Sequence, residues 1–358
     1  MSDSVLSKLP SREERYKMLD ALKEASDGKM FLEREYAQVV RWIAEMMEAD
    51  GKHDDATKLI QEIQIETYGS LQTQEKVDFI LYQMKLVLGR RDFVRCQILS
   101  RKISKKHLSE KGLERQKVQY YRFMVQYYVH ERMTLDTAKA YQTIYDTFAA
   151  NPEELDKAGN ERAQAFKYFL IYLLLSAYSN EKVDLLNIVA AKYTRELDDP
   201  SNEVLSRYLR RFLTAELLPF NAQEVENSIA TYGPFVAGET ENAATHMQEF
   251  LRQLIQHNIR TIQQYYSKIR LQRLAQLAGV SVDLAEKELG DMVVKKTGVS
   301  AKINRMQGIV VFKKGSSGAI EKTTNEALNE WNYDVRHMLE KIEQTCHLIN
   351  REKVVHNA

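Results

Sequence analysis

A chain of 358 residues exceeds what one hydrophobic core usually supports, so more than one structural unit is expected. Its 51 Lys and Arg nearly cancel its 50 Asp and Glu, which excludes a whole-molecule field that would draw it to nucleic acid or to an anionic membrane. Its two cysteines, Cys96 and Cys346, are too few and too far apart for a disulfide framework or a metal-ligand cluster, and they fit a reducing compartment.

Met1 to Pro10 contains no apolar core of signal-peptide length, and the apolar stretch around Tyr168 to Leu175 is too short to span a bilayer, so a soluble intracellular protein is expected. Between Pro10 and Pro152 no proline interrupts the chain, and long helices are permitted throughout. Leu59, Ile60 and Ile63, then Val77, Ile80, Leu81, Met84, Val87 and Leu88, recur at three- and four-residue steps, as one helical face requires. A weak internal repeat accompanies them. Gly51 to Ala56 and Gly89 to Val94 each read as a polar turn leading into a helix, and Glu131 to Asp136 and Asn180 to Asp184 read as degenerate third and fourth copies. A period of roughly 35 to 45 residues built from helix pairs predicts a TPR-like helical-repeat solenoid over residues 1–240; an irregular helical bundle is the other all-helical reading.

Thr231 to Gly238 breaks the helical run. A helix is then predicted from Leu251 through Tyr266, a second over Leu271 to Ala278, a turn at Gly279 to Ser281, and a third over Val282 to Lys296, capped by Ser281. Two β-rich segments follow, Val299 to Ile303 and Ile309 to Phe312. The order is that of a winged helix, placed within residues 241–318, with Gly315 to Gly318 as a flexible joint. Residues 319–358 form an assembly helix whose stripe, Leu328, Trp331, Val335, Met338, Ile342 and Ile349, repeats at alternating three- and four-residue steps. Two readings of that stripe stand: a partner helix in trans, or the chain's own winged helix in cis.

No catalytic pattern emerges. His130-Glu131 is not followed by a second zinc-spaced histidine, and Gly315 to Gly318 lacks the lysine and strand-to-helix setting of a phosphate loop. Neither catalytic, cofactor-binding nor metal-binding residues are assigned, and no cofactor is expected. The basic run Arg101 to His107 reads as a solvated helix end, and Tyr120, Phe123 and Tyr127 fall on one helical side as core residues rather than as a base-stacking platform. Leu274 to Ser281 would suit a DNA-binding helix-turn-helix. The following helix argues against it, since Asp283, Glu286, Glu288 and Asp291 oppose Lys287, Lys295 and Lys296. A protein-assembly module is the reading preferred, with Ile309, Val310 and Val311 as a strand edge able to pair with a neighbour's sheet.

Solenoid, winged helix and terminal helix, in that order, resemble the PCI proteins of the proteasome lid, the COP9 signalosome and a translation initiation factor complex. Ile65 to Ser70, His257 to Arg260, Tyr265 to Ile269, Arg273 to Leu277, Gly308 to Val310, His347 to Ile349 and His356-Asn357 carry a closer similarity to the lid subunits of the proteasome regulatory particle. The resemblance implies a non-catalytic scaffold in ubiquitin-dependent degradation, in the cytoplasm and nucleus. It implies a hetero-oligomer with other PCI lid subunits, the lid deubiquitinase and the ATPase base as partners, and neither nucleic acid nor membrane. It also implies winged-helix sheets aligned edge to edge, terminal helices gathered in a bundle, and further repeats before the point matching Met1. A signalosome paralogue and a winged-helix nucleic-acid binder are the alternatives.

Overall fold

The computed structural model describes residues 12–110, 112–152, 160–218, 221–235, 243–295, 297–312 and 324–356. The chain divides into two compact units, residues 1–169 and 170–358. The predicted joint at Gly315 to Gly318 lies outside the described residues.

The first unit is built of helical hairpins: α1 (Arg12–Ser26), α2 (Glu33–Ala49) with α3 (His53–Gln61), α4 (Thr73–Gly89) with α5 (Phe93–Lys102), and α6 (Glu114–His130) with α7 (Thr134–Ala150). Each hairpin buries its apolar face against the next. Val40, Ala44, Ala56, Ile60, Ile80, Met84, Val87, Cys96, Leu99, Tyr120, Met124 and Tyr127 share one core, and Gln83, buried among them, donates to the carbonyls of Ile60 and Ile63 at 2.9 and 3.2 Å. Tyr120 and Tyr127 are thus core residues, with Phe123 partly buried beside them.

The repeat is written in the turns. Gly51, Arg91 and Arg132 take positive φ angles of 77°, 58° and 58°. Each closes its helix identically: Gly51 N–H donates to Glu48 and Lys52 N–H to Met47, Arg91 to Leu88 and Asp92 to Val87, Arg132 to Val129 and Met133 to Tyr128. The structural equivalent of Gly51 is therefore Arg91, not Gly89 as the composition of the turns had suggested. Asn180 to Asp184 is no fourth copy, because Ser179 is extended there and accepts from Lys182 N–H at 3.1 Å as an ordinary N-cap. Arginine fills a glycine-type position at two of the three turns, where a Cβ is strained. Arg132→Gly should accordingly raise stability by about 0.5–1 kcal/mol, seen as a rise in melting temperature of about 1–4 °C; an unchanged or lowered midpoint would show that the arginine side chain offsets the strain.

Helix α8 (Asn160–Leu175) holds the division between the units, and α9 (Asn180–Lys192), α10 (Glu203–Leu213) and α11 (Ala222–Ile229) follow. The long helix α12 (Ala243–Tyr265) starts eight residues before Leu251, where apolar periodicity placed it. The early turns are less apolar because they bury His246, whose Nδ1 lies 3.1 Å from the Pro234 carbonyl. Beyond α12 come β1 (Lys268–Arg270), α13 (Leu271–Ala278), α14 (Val282–Lys295), β2 (Ala301–Asn304) and β3 (Ile309–Phe312). Ile255, Ile259 and Ile262 of α12 join Leu274, Leu289, Met292, Val310 and Phe312 in the winged-helix core.

One turn of α12 ties that core to the preceding chain. Asn258, fully buried, accepts from Leu218 N–H at 2.8 Å and donates to the Leu218 carbonyl at 2.9 Å. His257 sets Nε2 3.3 Å from the Glu216 carbonyl and its ring edge-on to Phe212. The Arg260 guanidinium lies 4.1 Å from the centre of the Tyr178 ring. Gly298, at φ 77°, passes the same ring so closely that a Cβ there would sit 2.9 Å from Tyr178 Cε1. Lys182 is buried nearby and donates to the carbonyls of Leu174 and Ser176 at the end of α8, a favourable place for a cation. Burial and the Arg260 charge nevertheless push its pKa well down.

Burial, aided by the Arg260 and Lys182 charges, pushes His257 down to about 4. The unfolded chain, titrating this residue near 6.5, takes up a proton that the folded chain refuses until about pH 4, so stability is intact above about pH 6.5 and falls as pH drops through that window. His257→Gln should flatten the acid limb of the stability profile, by at most about 1.4 kcal/mol per pH unit. Denaturant titrations from pH 7 to pH 4 measure it, and an unchanged slope would show that His257 accepts protons freely in the folded state.

Candidate assembly interfaces

The helix-turn-helix presents α14 where a nucleic-acid reader would carry cations, but three of its four acids are engaged within the domain. Glu288 is buried, accepting from Arg252 at 2.9 Å and Gln256 at 3.0 Å. Asp291 accepts from the other arm of Arg252, and Glu286 from Arg305 at the wing. The helix is braced against α12 and the wing by these ion pairs, and along Val282–Lys295 only Lys287 and Lys295 carry positive charge, few for a phosphate backbone. Ser281 Oγ accepts weakly from Leu284 N–H at 3.4 Å, as its capping position predicts.

The wing differs from the two-stranded hairpin expected. It is a three-stranded antiparallel sheet in the order β1-β3-β2, with Ile269 opposite Val310 on one side and Ile303 opposite Val310 on the other. The strand carrying Ile309, Val310 and Val311 is therefore central, and it cannot offer the open edge assigned to it. Val310 is fully buried and Ile309 and Val311 are partly so. Both faces of its ladder are occupied because Lys268 to Arg270, short and charged at both ends, forms a strand that alternation cannot detect over three residues. Among the described residues the open edges belong to β1 and β2. Lys268 and Arg270 stand exposed on the first, Lys302 and Asn304 on the second.

The terminal helix, α15 (Thr324–His356), rests lightly against α9. Asn332, Tyr333, Arg336, His337 and Glu340 face it across a gap of about 490 Å³. At 3.6 residues per turn these positions lie on the side roughly opposite the apolar stripe. Leu328, Trp331, Met338, Ile342 and Ile349 are accordingly 48–66% exposed, while Val335 is partly buried. The helix does not lie on its own winged helix through this stripe, and nothing within the described residues covers it. Cys346 is exposed beside it and Cys96 is buried in the first unit.

Among the described residues no three His, Cys, Asp or Glu side chains converge as metal ligands, and no helix is long and apolar enough to cross a membrane.

Three family profiles match successive parts of the chain: the PSMD12/CSN4 N-terminal region over residues 3–152, the PCI domain over 234–314, and the 26S proteasome regulatory subunit RPN5 C-terminal domain over 325–357. The last coincides with α15. The chain is 32% identical over 351 residues to the 26S proteasome non-ATPase regulatory subunit 12 of Dictyostelium discoideum, covering 98% of this chain and 74% of that protein. It is 31% identical to the 26S proteasome regulatory subunit RPN5 of Saccharomyces cerevisiae, over 96% of this chain and 73% of that one. It is 29% identical to the non-ATPase regulatory subunit 12 homolog A of Arabidopsis thaliana, over 99% and 81%. With a helical repeat, a winged-helix PCI domain and a terminal helix matched in order, this chain belongs to the family of 26S proteasome non-ATPase regulatory subunit 12, the RPN5 proteins.

Proposed function

We propose that this chain is a non-catalytic scaffold subunit of the lid of the 19S regulatory particle, supporting ubiquitin-dependent protein degradation through protein–protein contacts alone. The observation that carries this reading is the exposed apolar stripe of α15, which coincides with the RPN5 C-terminal match. A stripe repeating at three and four residues is the surface that a bundle of like helices buries. Its occupants are the terminal helices of other PCI lid subunits. The open edges of β1 and β2 serve neighbouring winged helices, and the remaining surfaces serve the lid deubiquitinase and the ATPase base, in the cytoplasm and the nucleus. The match of α15 to a profile named for RPN5 favours the proteasome over the signalosome paralogue. The engaged acids of α14 disfavour nucleic acid.

Trp331, 66% exposed near the start of the stripe, is the anchor that a partner pocket would fill. Trp331→Ala should weaken incorporation into the co-expressed lid by about 2 kcal/mol or more, roughly 30-fold in affinity, with the melting temperature of the isolated chain unchanged. Ile342→Asp should do the same more severely. A fall in melting temperature with assembly intact would place the stripe inside the chain's own fold.

The sheet gives a second test with opposite signatures for two strands. Val310→Pro, in the central strand, should unfold the winged helix, since it removes a ladder bond and disturbs a fully buried position. A proline scan of Ala301 to Asn304 should find positions whose N–H points away from β3, where assembly is lost while stability is kept. If every proline in β2 that folds also assembles, this edge pairs with no neighbour.

A further inference from the structure

Two sequence features that the assembly reading leaves unused, the basic run beginning at Arg101 and the tyrosines of α6, meet at one place in the first unit. A recess of about 440 Å³ opens beside α5, α6 and the α6–α7 turn. Ile103, Tyr120, Met124 and Tyr127 form its buried floor, and Arg101, Lys105 and Met133 its exposed rim. Tyr120 donates its hydroxyl hydrogen to the Ser100 carbonyl at 3.4 Å, so the floor is fixed from within.

The charges at the mouth are unbalanced. Arg101 and Lys105 enter no ion pair among the described residues, and the one acid of the lining, Asp136, has Lys139 3.8 Å away. The surface leading to the mouth is apolar. Val94 and Ile98, 70% and 54% exposed, share a face of α5 with Arg101 at four- and three-residue steps. A strip of two aliphatic side chains, then two unpaired cations, then a concave aromatic floor favours something extended, acidic and partly apolar.

We propose that this recess and the strip beside it dock an extended acidic segment of a partner protein, seating an apolar side chain on the tyrosine and methionine floor and carboxylates on Arg101 and Lys105. Nucleic acid fits less well. Two cations are few to follow a phosphate backbone, and a carboxylate, Asp136, lines the same recess. A carboxylate accepts from a guanidinium in a fixed two-bond geometry, which gives a short peptide direction as well as affinity.

The test is a selection of displayed random dodecapeptides on the purified full chain, with counter-selection on the chain carrying Arg101→Glu and Lys105→Glu. Both positions are exposed, so an unchanged melting temperature of the variant certifies its fold. The expected result is a set of peptides with Asp or Glu beside Leu, Met or Phe, whose fluorescein-labelled consensus binds the wild type at least tenfold more tightly than the variant by anisotropy. A set without acidic enrichment, an empty set, or equal binding to the variant would overturn the proposal. So would saturable binding of a labelled twelve-nucleotide oligouridylate that the same substitutions abolish, which would assign the recess to RNA.

Discussion

The second unit depends on α12 being buried along most of its length while carrying polar side chains, four of which are held by partners outside the helix. His246, Gln256, His257, Asn258 and Thr261 are buried together with Phe250, Leu254, Ile255, Ile259 and Ile262. A helix so placed resists sliding by a residue, because His246, Gln256, His257 and Asn258 would each lose a partner outside the helix at a cost of about 1–3 kcal/mol. Asn258 is the tightest of these pins, since both its amide groups close on the backbone of a single residue, Leu218. Arg252 and Gln256 fix the other side by holding Glu288 of α14. The winged helix is therefore positioned by α12 through directional bonds, with apolar burial supplying the bulk of the stabilisation.

The proposed assembly surfaces are those that this frame leaves outside. The sheet presents two short charged edges, and α15 presents apolar residues to solvent although its opposite face touches α9. A monomeric globular chain would bury Trp331, Met338 and Ile342. Their exposure is what the proposed assembly role requires, in which the ordering cost of the helix is offset by burial against other helices.

Much of this was legible in the sequence, and the failures are instructive. The three-and-four spacing of α4 and the stripe of α15 reported directly which faces are apolar, because helical periodicity survives any tertiary context. His257 to Arg260 stood out only through family resemblance; its clamp on Leu218 and Glu216 involves residues 40 or so positions apart, which no local pattern encodes. Strand β1 escaped detection because three residues give one alternation, and its omission turned the central strand of the sheet into an apparent edge. The repeat was visible as turn chemistry, but its register was misread because arginine, not glycine, occupies the left-handed position in the second and third turns.

Hydrogen exchange on the α15 backbone, compared between the free chain and the assembled lid, measures the central claim most directly. If the stripe is an assembly surface, amides of residues 324–356 exchange quickly in the free chain and become strongly protected in the lid, while those of α12 are protected equally in both. Equal protection of α15 in the two states would contradict the account, since the helix would then be completed by its own chain.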